Sequence, residues 1–263
     1  MDRRRFLKYV GSALLLSGLS TLGYSYFIES GSYVITRIDI GLGIGRRLVH
    51  ITDTHVDTSR FDYAKLPSII EGLNPDIIIH TGDHLTYFRG YSLVRRLLEA
   101  LASISEVYTV LGNHDVWSGL DRAKYINEIN GIENVRLLVN EGIYIDGFWI
   151  IGVGDPYTGG DDLDRALGGI GDDSVRILIA HSPQIIDKAV GRVDLVLSGH
   201  THGGQIVLPL LGPLWLPLPL KYWRYSYGLF ELDGTTLFVS RGIGTTSIPL
   251  RFNCPPEIVY INL

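Results

Sequence analysis

Arg47-Leu48-Val49-His50-Ile51-Thr52-Asp53-Thr54-His55 is the stretch from which the fold can be read. An apolar, β-branched run ends on a carboxylate and an imidazole two residues apart. The run predicts a buried strand over residues 47–52, with the polar pair just past its C-terminal end. The same grammar returns four times downstream. Strands expected over residues 76–81, 107–111, 176–180 and 194–198 lead into Gly82-Asp83, Gly112-Asn113-His114-Asp115, His181-Ser182-Pro183 and Gly199-His200-Thr201-His202. A further buried strand is expected over residues 149–153. Helical patterns fall between them, over residues 64–73, 93–103, 120–130 and 184–190. Near the C-terminus, strands over residues 228–232 and 235–240 flank Asp233-Gly234, a hairpin signal, and a last strand covers residues 257–262. Strands alternating with helices predict an α/β domain. No long polar linker and no internal repeat divides residues 31–263, which read as one domain.

Composition narrows the function. With 46% hydrophobic and 19% charged residues in 263, the chain is not disordered. Cys254 is the single cysteine, so thiolate metal clusters and internal disulfides are excluded. The formal net charge is -5. Four basic but only two acidic residues lie in the first thirty, so the remainder is more acidic still. No nucleic-acid partner is expected, because phosphate backbones are held by Lys and Arg.

Arg3-Arg4-Arg5-Phe6-Leu7-Lys8 is followed by twenty uncharged residues, 9–28. A basic n-region and an apolar segment able to span about 30 Å as a helix read as a signal or membrane anchor over residues 1–30. An ordinary signal peptide or a buried core helix is the plainer alternative. The flanking charges and the lack of an amphipathic pattern favour the bilayer. The Arg-Arg-x-Phe-Leu-Lys order resembles a twin-arginine export signal, a route for folded proteins, although Asp2 stands where Ser or Thr is usual. No small-x-small cleavage site is found after the apolar run. The expectation is a retained anchor in the cell membrane, basic end inside, with the domain extracytoplasmic.

The eight histidines carry the chemistry. None lies inside an expected helix, and most sit at or past a strand's C-terminal end, where open α/β sheets place ligands. Imidazole nitrogen with carboxylate oxygen suits Mn, Fe, Zn, Co or Ni. The segments offer more ligands than one tetrahedral site takes, and enough for two sites sharing a carboxylate. Ordinary turn residues and hydrogen-bonded core histidines would explain any one segment, but five after five strands are hard to explain that way.

Taken in order, D-x-H, G-D, G-N-H-D, H and G-H-x-H resemble the calcineurin-like metallophosphoesterases. Gly199-His200-Thr201-His202-Gly203-Gly204-Gln205, Gly152-Val153-Gly154-Asp155-Pro156, Val239-Ser240-Arg241-Gly242-Ile243-Gly244, Pro249-Leu250-Arg251-Phe252 and Pro255-Pro256-Glu257 resemble one subgroup. These are membrane-associated bacterial and archaeal phosphodiesterases, some similar to UDP-2,3-diacylglucosamine pyrophosphatases. The match runs from about residue 46 to the C-terminus. The resemblance implies two packed mixed β-sheets flanked by helices, an αββα sandwich. It implies two divalent metal ions (Mn, Fe or Zn). One would be held by Asp53, His55, Asp83 and His202, the other by Asp83, Asn113, His181 and His200, with Asp83 bridging. The family often has G-D-x-x-D, and here the last position is Thr86. That change is expected to alter only a contact behind the ligands.

The implied site suggests a reaction. Two cations about 3.5–4 Å apart would clamp an in-line displacement at phosphorus and ionise a bridging water. His114, left out of the ligand set, would protonate the leaving oxygen, and Asp115 would fix its tautomer unless it is a helix-cap residue. Arg241, Arg251 and His84 are candidate substrate contacts; structural ion pairs are the alternative for the arginines. His50 and His80 are expected to be buried and hydrogen-bonded. Residues 206–225, apolar and rich in proline, aromatic and basic residues, suit a membrane interface, an acyl-chain groove or a loop covering the core. The Gly41-x-Gly43-x-Gly45 spacing reads as a turn, and Asp161-Asp162 and Asp172-Asp173 as helix caps or solvated loop. The expected function is hydrolysis of a phosphoester, as a phosphodiesterase or pyrophosphatase acting on a membrane-proximal or lipid-linked substrate. Rival readings are a phosphoprotein or nucleotide phosphatase and a metal-binding scaffold without catalysis.

Overall fold

A computed structural model describes residues 2–171 and 174–263, so Asp172-Asp173 lie outside the described residues. The chain opens with helix α1 (Arg3–Phe27), followed by β1 (Val34–Asp39), β2 (Arg47–Ile51), α2 (Leu66–Glu71), β3 (Ile77–His80), α3 (Tyr91–Ala102) and β4 (Glu106–Thr109). Next come α4 (Asn113–Trp117), α5 (Arg122–Asn130), β5 (Val135–Leu137), β6 (Glu141–Ile145), β7 (Phe148–Gly152), α6 (Leu163–Ala166) and β8 (Val175–Ile179). The rest holds α7 (Ile186–Ala189), β9 (Leu195–Ser198), a small hairpin β10 (Val207–Leu208) and β11 (Gly212–Pro213), then β12 (Gly228–Leu232), β13 (Thr235–Val239) and β14 (Glu257–Asn262).

Two six-stranded mixed sheets form, in the orders β1-β14-β2-β3-β4-β5 and β12-β13-β9-β8-β7-β6. In each, four consecutive strands run parallel and antiparallel pairing enters toward the edges. Alternation along the strands builds the layers. In β3, Ile77 and Ile79 face the second sheet while Ile78 packs under α3. In β9, Leu195 and Leu197 face the first sheet while Val196 packs outward with Ile186 and Ala189 of α7. Three apolar layers result, one between the sheets and one on each outer face, which is the expected αββα sandwich.

β5 and β6 were not expected from the sequence; β5 is three residues long and β6 carries a glycine and little burial. The Asn113 segment, where no helix was expected, begins α4. Of the acidic pair at 161–162, Asp162 caps α6 as expected by accepting from Arg165 N, while Asp161 is ion-paired with Lys188 at 2.6 Å.

α1 is long and apolar enough to cross a membrane, and its apolar window is unburied, which removes the core-helix reading. The last turn of the helix and the residues just after it pack on the domain. Ser25, Glu29 and Ser30 are buried. Ser30 Oγ donates to Ser25 O and accepts from Arg251 N, and Glu29 Oε1 accepts from Cys254 N. The end of the helix is therefore part of the globular body.

His50 lies in the layer between the sheets, edge-on to Phe238, with Nε2 bonded to Thr81 Oγ1. Burial pushes its pKa down to about 3. The unfolded chain binds a proton there below about pH 6.5 that the folded chain refuses. Stability is thus lost as pH falls from about 6.5 toward 3, by about 1.4 kcal/mol per pH unit from this group. His50→Gln, which keeps a partner for Thr81, is expected to flatten the dependence of Tm on pH across that window. An unchanged slope would show that His50 is protonated in the fold.

Candidate metal centre

The parallel strands of both sheets end at one place, and the ends of β2, β3, β4, β8 and β9 deliver the histidine and carboxylate segments there. Asp53, His55, Asp83, His200 and His202 have φ of 51°, 42°, 53°, 70° and 50°, in the left-handed region. Only a sharp bend of the chain lets successive side chains turn back to one point, and Asp and His tolerate that region better than most residues. Two glycines clear the space the carboxylates fill. A Cβ at Gly112 would stand 2.2 Å from Asp83 Oδ1, and one at Gly199 would stand 2.2 Å from Asp53 Oδ2.

Asp53, His55, Asp83 and His202 bring four ligand atoms within 4.8 Å of one another, all buried. His202 Nε2 lies 3.3 Å from Asp53 Oδ1, and His55 Nε2 lies 3.4 Å from Asp83 Oδ2 and 3.3 Å from His202 Nε2. Beside them, His181 Nε2 is 3.3 Å from Asp83 Oδ2, 3.1 Å from Asn113 Oδ1 and 3.1 Å from His200 Nδ1. Asp83 belongs to both groups. All seven residues expected as ligands are thus in one cluster.

The far ring nitrogens explain the orientation. His181 Nδ1 donates to Thr81 O at 2.8 Å and His200 Nε2 to Pro217 O at 3.0 Å. His55 Nδ1 meets Thr86 Oγ1 at 2.9 Å. A nitrogen that donates to a carbonyl leaves the other nitrogen of a neutral ring with a lone pair. The free nitrogen of His181 faces the Asp83 carboxylate and the Asn113 amide oxygen, and that of His200 faces His181 Nε2, so the cluster is rich in acceptors and calls for positive charge. The donor set fits divalent cations with nitrogen and oxygen preference. Thr86 sits where it was expected, behind a ligand.

Burial sets the charges. It lowers the His55 and His200 pKa values to about 4 and about 3 and holds His202 well below its ordinary value. Neutral imidazole is the form that binds metal. Burial also lifts the Asp53 carboxyl to about 7. At His181, burial lowers the pKa, but the Asp83 carboxylate outweighs it and the ring sits well above its ordinary value. Asp83 is in turn held well below the usual carboxylate range, the facing His181 overriding the effect of burial. A proton on His181 Nε2 answers the same demand as a cation, so the two compete.

The calcineurin-like phosphoesterase family profile matches residues 46–204, more than half of the chain. The chain belongs to this family. The uncharacterized metallophosphoesterase YkuE of Bacillus subtilis (strain 168) is 32% identical, covering 100% of this chain and 98% of that protein. Phosphodiesterase YaeI of Escherichia coli (strain K12) is 29% identical, covering 100% of this chain and 99% of its own length. Among solved structures, TT1561 of Thermus thermophilus aligns with a TM-score of 0.50 at 13% identity, over 75% of this chain and 90% of that one, and supports the fold alone. This phosphoesterase is accordingly a metal-dependent hydrolase of phosphoesters.

A cleft of about 440 Å³ opens onto the cluster. Asp83, Asn113, His114, His200 and His202 form its polar floor, and Trp117, Tyr157, Ile206, Leu214, Trp215 and Ile248 an apolar wall. His114 is at the mouth, its Nε2 3.4 Å from Thr246 Oγ1 and its ring edge-on to His55. His114 N donates to Asp83 Oδ1 at 2.8 Å.

Four expectations need correction. Asp115 does not touch the His114 ring. It accepts from Gly112 N, His84 N and Leu85 N, capping α4 and locking the Asp83 loop to the Asn113 loop. His84 does not face the cleft. It is buried, with Nδ1 on Asp115 and Nε2 on Thr109. Arg251 is fully buried, and its guanidinium donates to the carbonyls of Gly244, Arg241, Gly242 and Cys254. It holds residues 241–254 as a strap and has no path to substrate. Arg241 is paired with Glu257 at 2.9 Å and does not line the cleft. The helix-cap alternative for Asp115 and the ion-pair alternative for Arg241 are the ones the structure shows, whereas Arg251 is held by backbone carbonyls rather than an ion pair. His80, bonded to Thr54 Oγ1 and Gly82 N, braces the backbone beside both carboxylates.

The sequence missed Trp117, Tyr157 and Thr246. A signal existed for two of them. Asp155 of the Gly152–Pro156 motif accepts from Tyr157 N and Thr158 N and shapes the turn that aims Tyr157 at His200. Gln205, closing the G-H-x-H-G-G-Q motif, donates to Thr246 O and Ile248 O and accepts from Thr246 N, carrying Thr246 to His114.

Gly199→Ala forces a methyl into the Asp53 carboxylate. Purified protein is expected to lose most of its bound metal by elemental analysis, whereas Gly41→Ala, with open space around it, keeps it. Equal metal content in both would show that Asp53 has room to move.

Proposed function

We propose that this phosphoesterase is a phosphodiesterase or pyrophosphatase anchored by α1, acting on a membrane-proximal or lipid-linked phosphoester. Asp53, His55, Asp83 and His202 would hold one divalent cation, and Asp83, Asn113, His181 and His200 a second, with Asp83 shared. When bound, the cations would supply an ionised water as nucleophile and a net charge of about +2 against the two carboxylates, attracting phosphoryl oxygen. The protein's own residues do the rest. Asp83 and Asn113 fix the positions around which phosphorus must sit. His114, free of the cluster, stands at the mouth to hand a proton to the departing oxygen. Thr246 orients its ring, a role expected of a carboxylate and taken here by a hydroxyl. The apolar wall excludes water from the leaving side.

The observation that carries the preference is the contrast between floor and wall. No Lys or Arg is among the described residues that line the cleft. A monoester dianion would have only the cluster to neutralise it, while a diester brings a single charge and a second substituent for the apolar wall. The decisive experiment is a comparison with manganese of bis-p-nitrophenyl phosphate, p-nitrophenyl phosphate and a lipid-linked diphosphate. Diester or diphosphate turnover is expected to exceed monoester turnover. His114→Asn should keep its metal and lose activity by about 10²–10⁴, and Asp83→Asn should be depleted of metal. Faster monoester hydrolysis would favour a phosphatase, and no hydrolysis of any substrate a scaffold.

The basic residues Arg3, Arg4, Arg5 and Lys8 before the apolar span support an extracytoplasmic domain under the positive-inside rule. External protease on intact cells is expected to release the domain; full protection would reverse the topology.

A further inference from the structure

Residues 206–215 leave the last metal-binding segment and project as the β10–β11 hairpin. Leu210 and Leu211 at its tip are 106% and 79% exposed, and Leu214 and Trp215 just beyond are 56% and 64% exposed. Four large apolar side chains on one turn are costly in water and mark a contact surface. The base of the hairpin is fixed. Phe252 N donates to Gln205 O at 2.8 Å, Val207 N donates to Phe252 O at 2.9 Å, and Ile206 bridges to Phe252. Residues beside Phe252 grip the turn that follows α1, Arg251 N on Ser30 Oγ at 2.9 Å and Cys254 N on Glu29 Oε1 at 2.6 Å, and Ser30 Oγ donates back to Ser25 O of the helix. One strap, residues 251–254, therefore carries the apolar hairpin and the apolar helix together.

We infer that the hairpin tip, Leu210 and Leu211 with Leu214 and Trp215, inserts into the same lipid bilayer that holds α1. The inference rests on the reading of α1 as an anchor. Continuity with the helix through the strap selects the bilayer over other occupants. A two-residue tip also offers far less than the roughly 800 Å² per partner that a stable dimer needs, whereas leucine and tryptophan side chains suit the boundary between headgroups and acyl chains. Because Leu214 and Trp215 also line the cleft, the cleft would open at the membrane surface.

The test uses the full chain in nanodiscs of phosphatidylethanolamine and phosphatidylglycerol. Nitroxide labels are placed singly at Leu211→Cys, at Leu15→Cys within α1, and at Glu231→Cys on β12. Cys254 is buried, and unmutated protein serves as its labelling control. Collision with lipid-soluble oxygen is compared with collision with a water-soluble nickel chelate. Labels at residues 211 and 15 are expected to favour oxygen several-fold over the label at 231. A label at 211 that favours nickel, or is shielded from both reagents as in a protein contact, overturns the inference while the label at 15 still reports lipid. Nickel preference at 15 as well as 211 overturns the anchor and the hairpin together.

Discussion

The convergence of lone pairs around the Asp83 carboxylate is the constraint on which the rest depends. Asp83 accepts from His114 N and faces the ring nitrogens of His55 and His181, which come from different sheets. Bringing uncharged imidazoles and carboxylates to within about 3.3 Å in a buried place is unfavourable unless positive charge sits among them. The surroundings accept that cost in an orderly way. Carbonyls of Thr81 and Pro217 and the hydroxyl of Thr86 hold the outer ring nitrogens, and Asp115 ties the two loops that frame Asp83. The buried pairs are thus polar groups pre-arranged for a cation.

Much of this was legible in the sequence because each ligand comes just after a short apolar strand. Period-two alternation in Leu48, Val49 and Ile51, or in Ile77, Ile78 and Ile79, fixes which side chains enter which layer. Residues just past such a strand must then lie at the sheet edge. The candidate segments were readable for that reason, and the family resemblance then implied which of their residues are ligands. The short strands β5 and β6 were not, since three residues or a glycine-bearing edge give no periodicity. The roles of Arg241, Arg251, His84 and Asp115 were misjudged for a different reason. A charged residue near a motif looks the same in sequence whether it faces substrate or backs a loop. Arg251 fills its donors with backbone carbonyls, a set of partners that leaves no sequence signal.

The aromatic side of the cleft shows how motifs outside the ligand set act on the site. Asp155 and Gln205 touch no candidate metal ligand through their side chains. Asp155 shapes the turn that brings Tyr157 to the site, and Gln205 holds Thr246, from a separate segment, beside it. The C-terminal strap works the same way at larger range. Ile243 N and Gly244 N bond to Thr52 O and Asp53 O, while Arg251 gathers the strap's carbonyls. The floor, His114 and the helix end are parts of one hydrogen-bonded unit.

The bent backbone at Asp53, His55, Asp83, His200 and His202 has a consequence of its own. Each such position stores about 1–2 kcal/mol relative to relaxed chain. Glycine at any of them would release backbone tension while removing a candidate ligand. A laboratory screen that rewards relaxed backbone alone would therefore act against the five bent candidate ligands first.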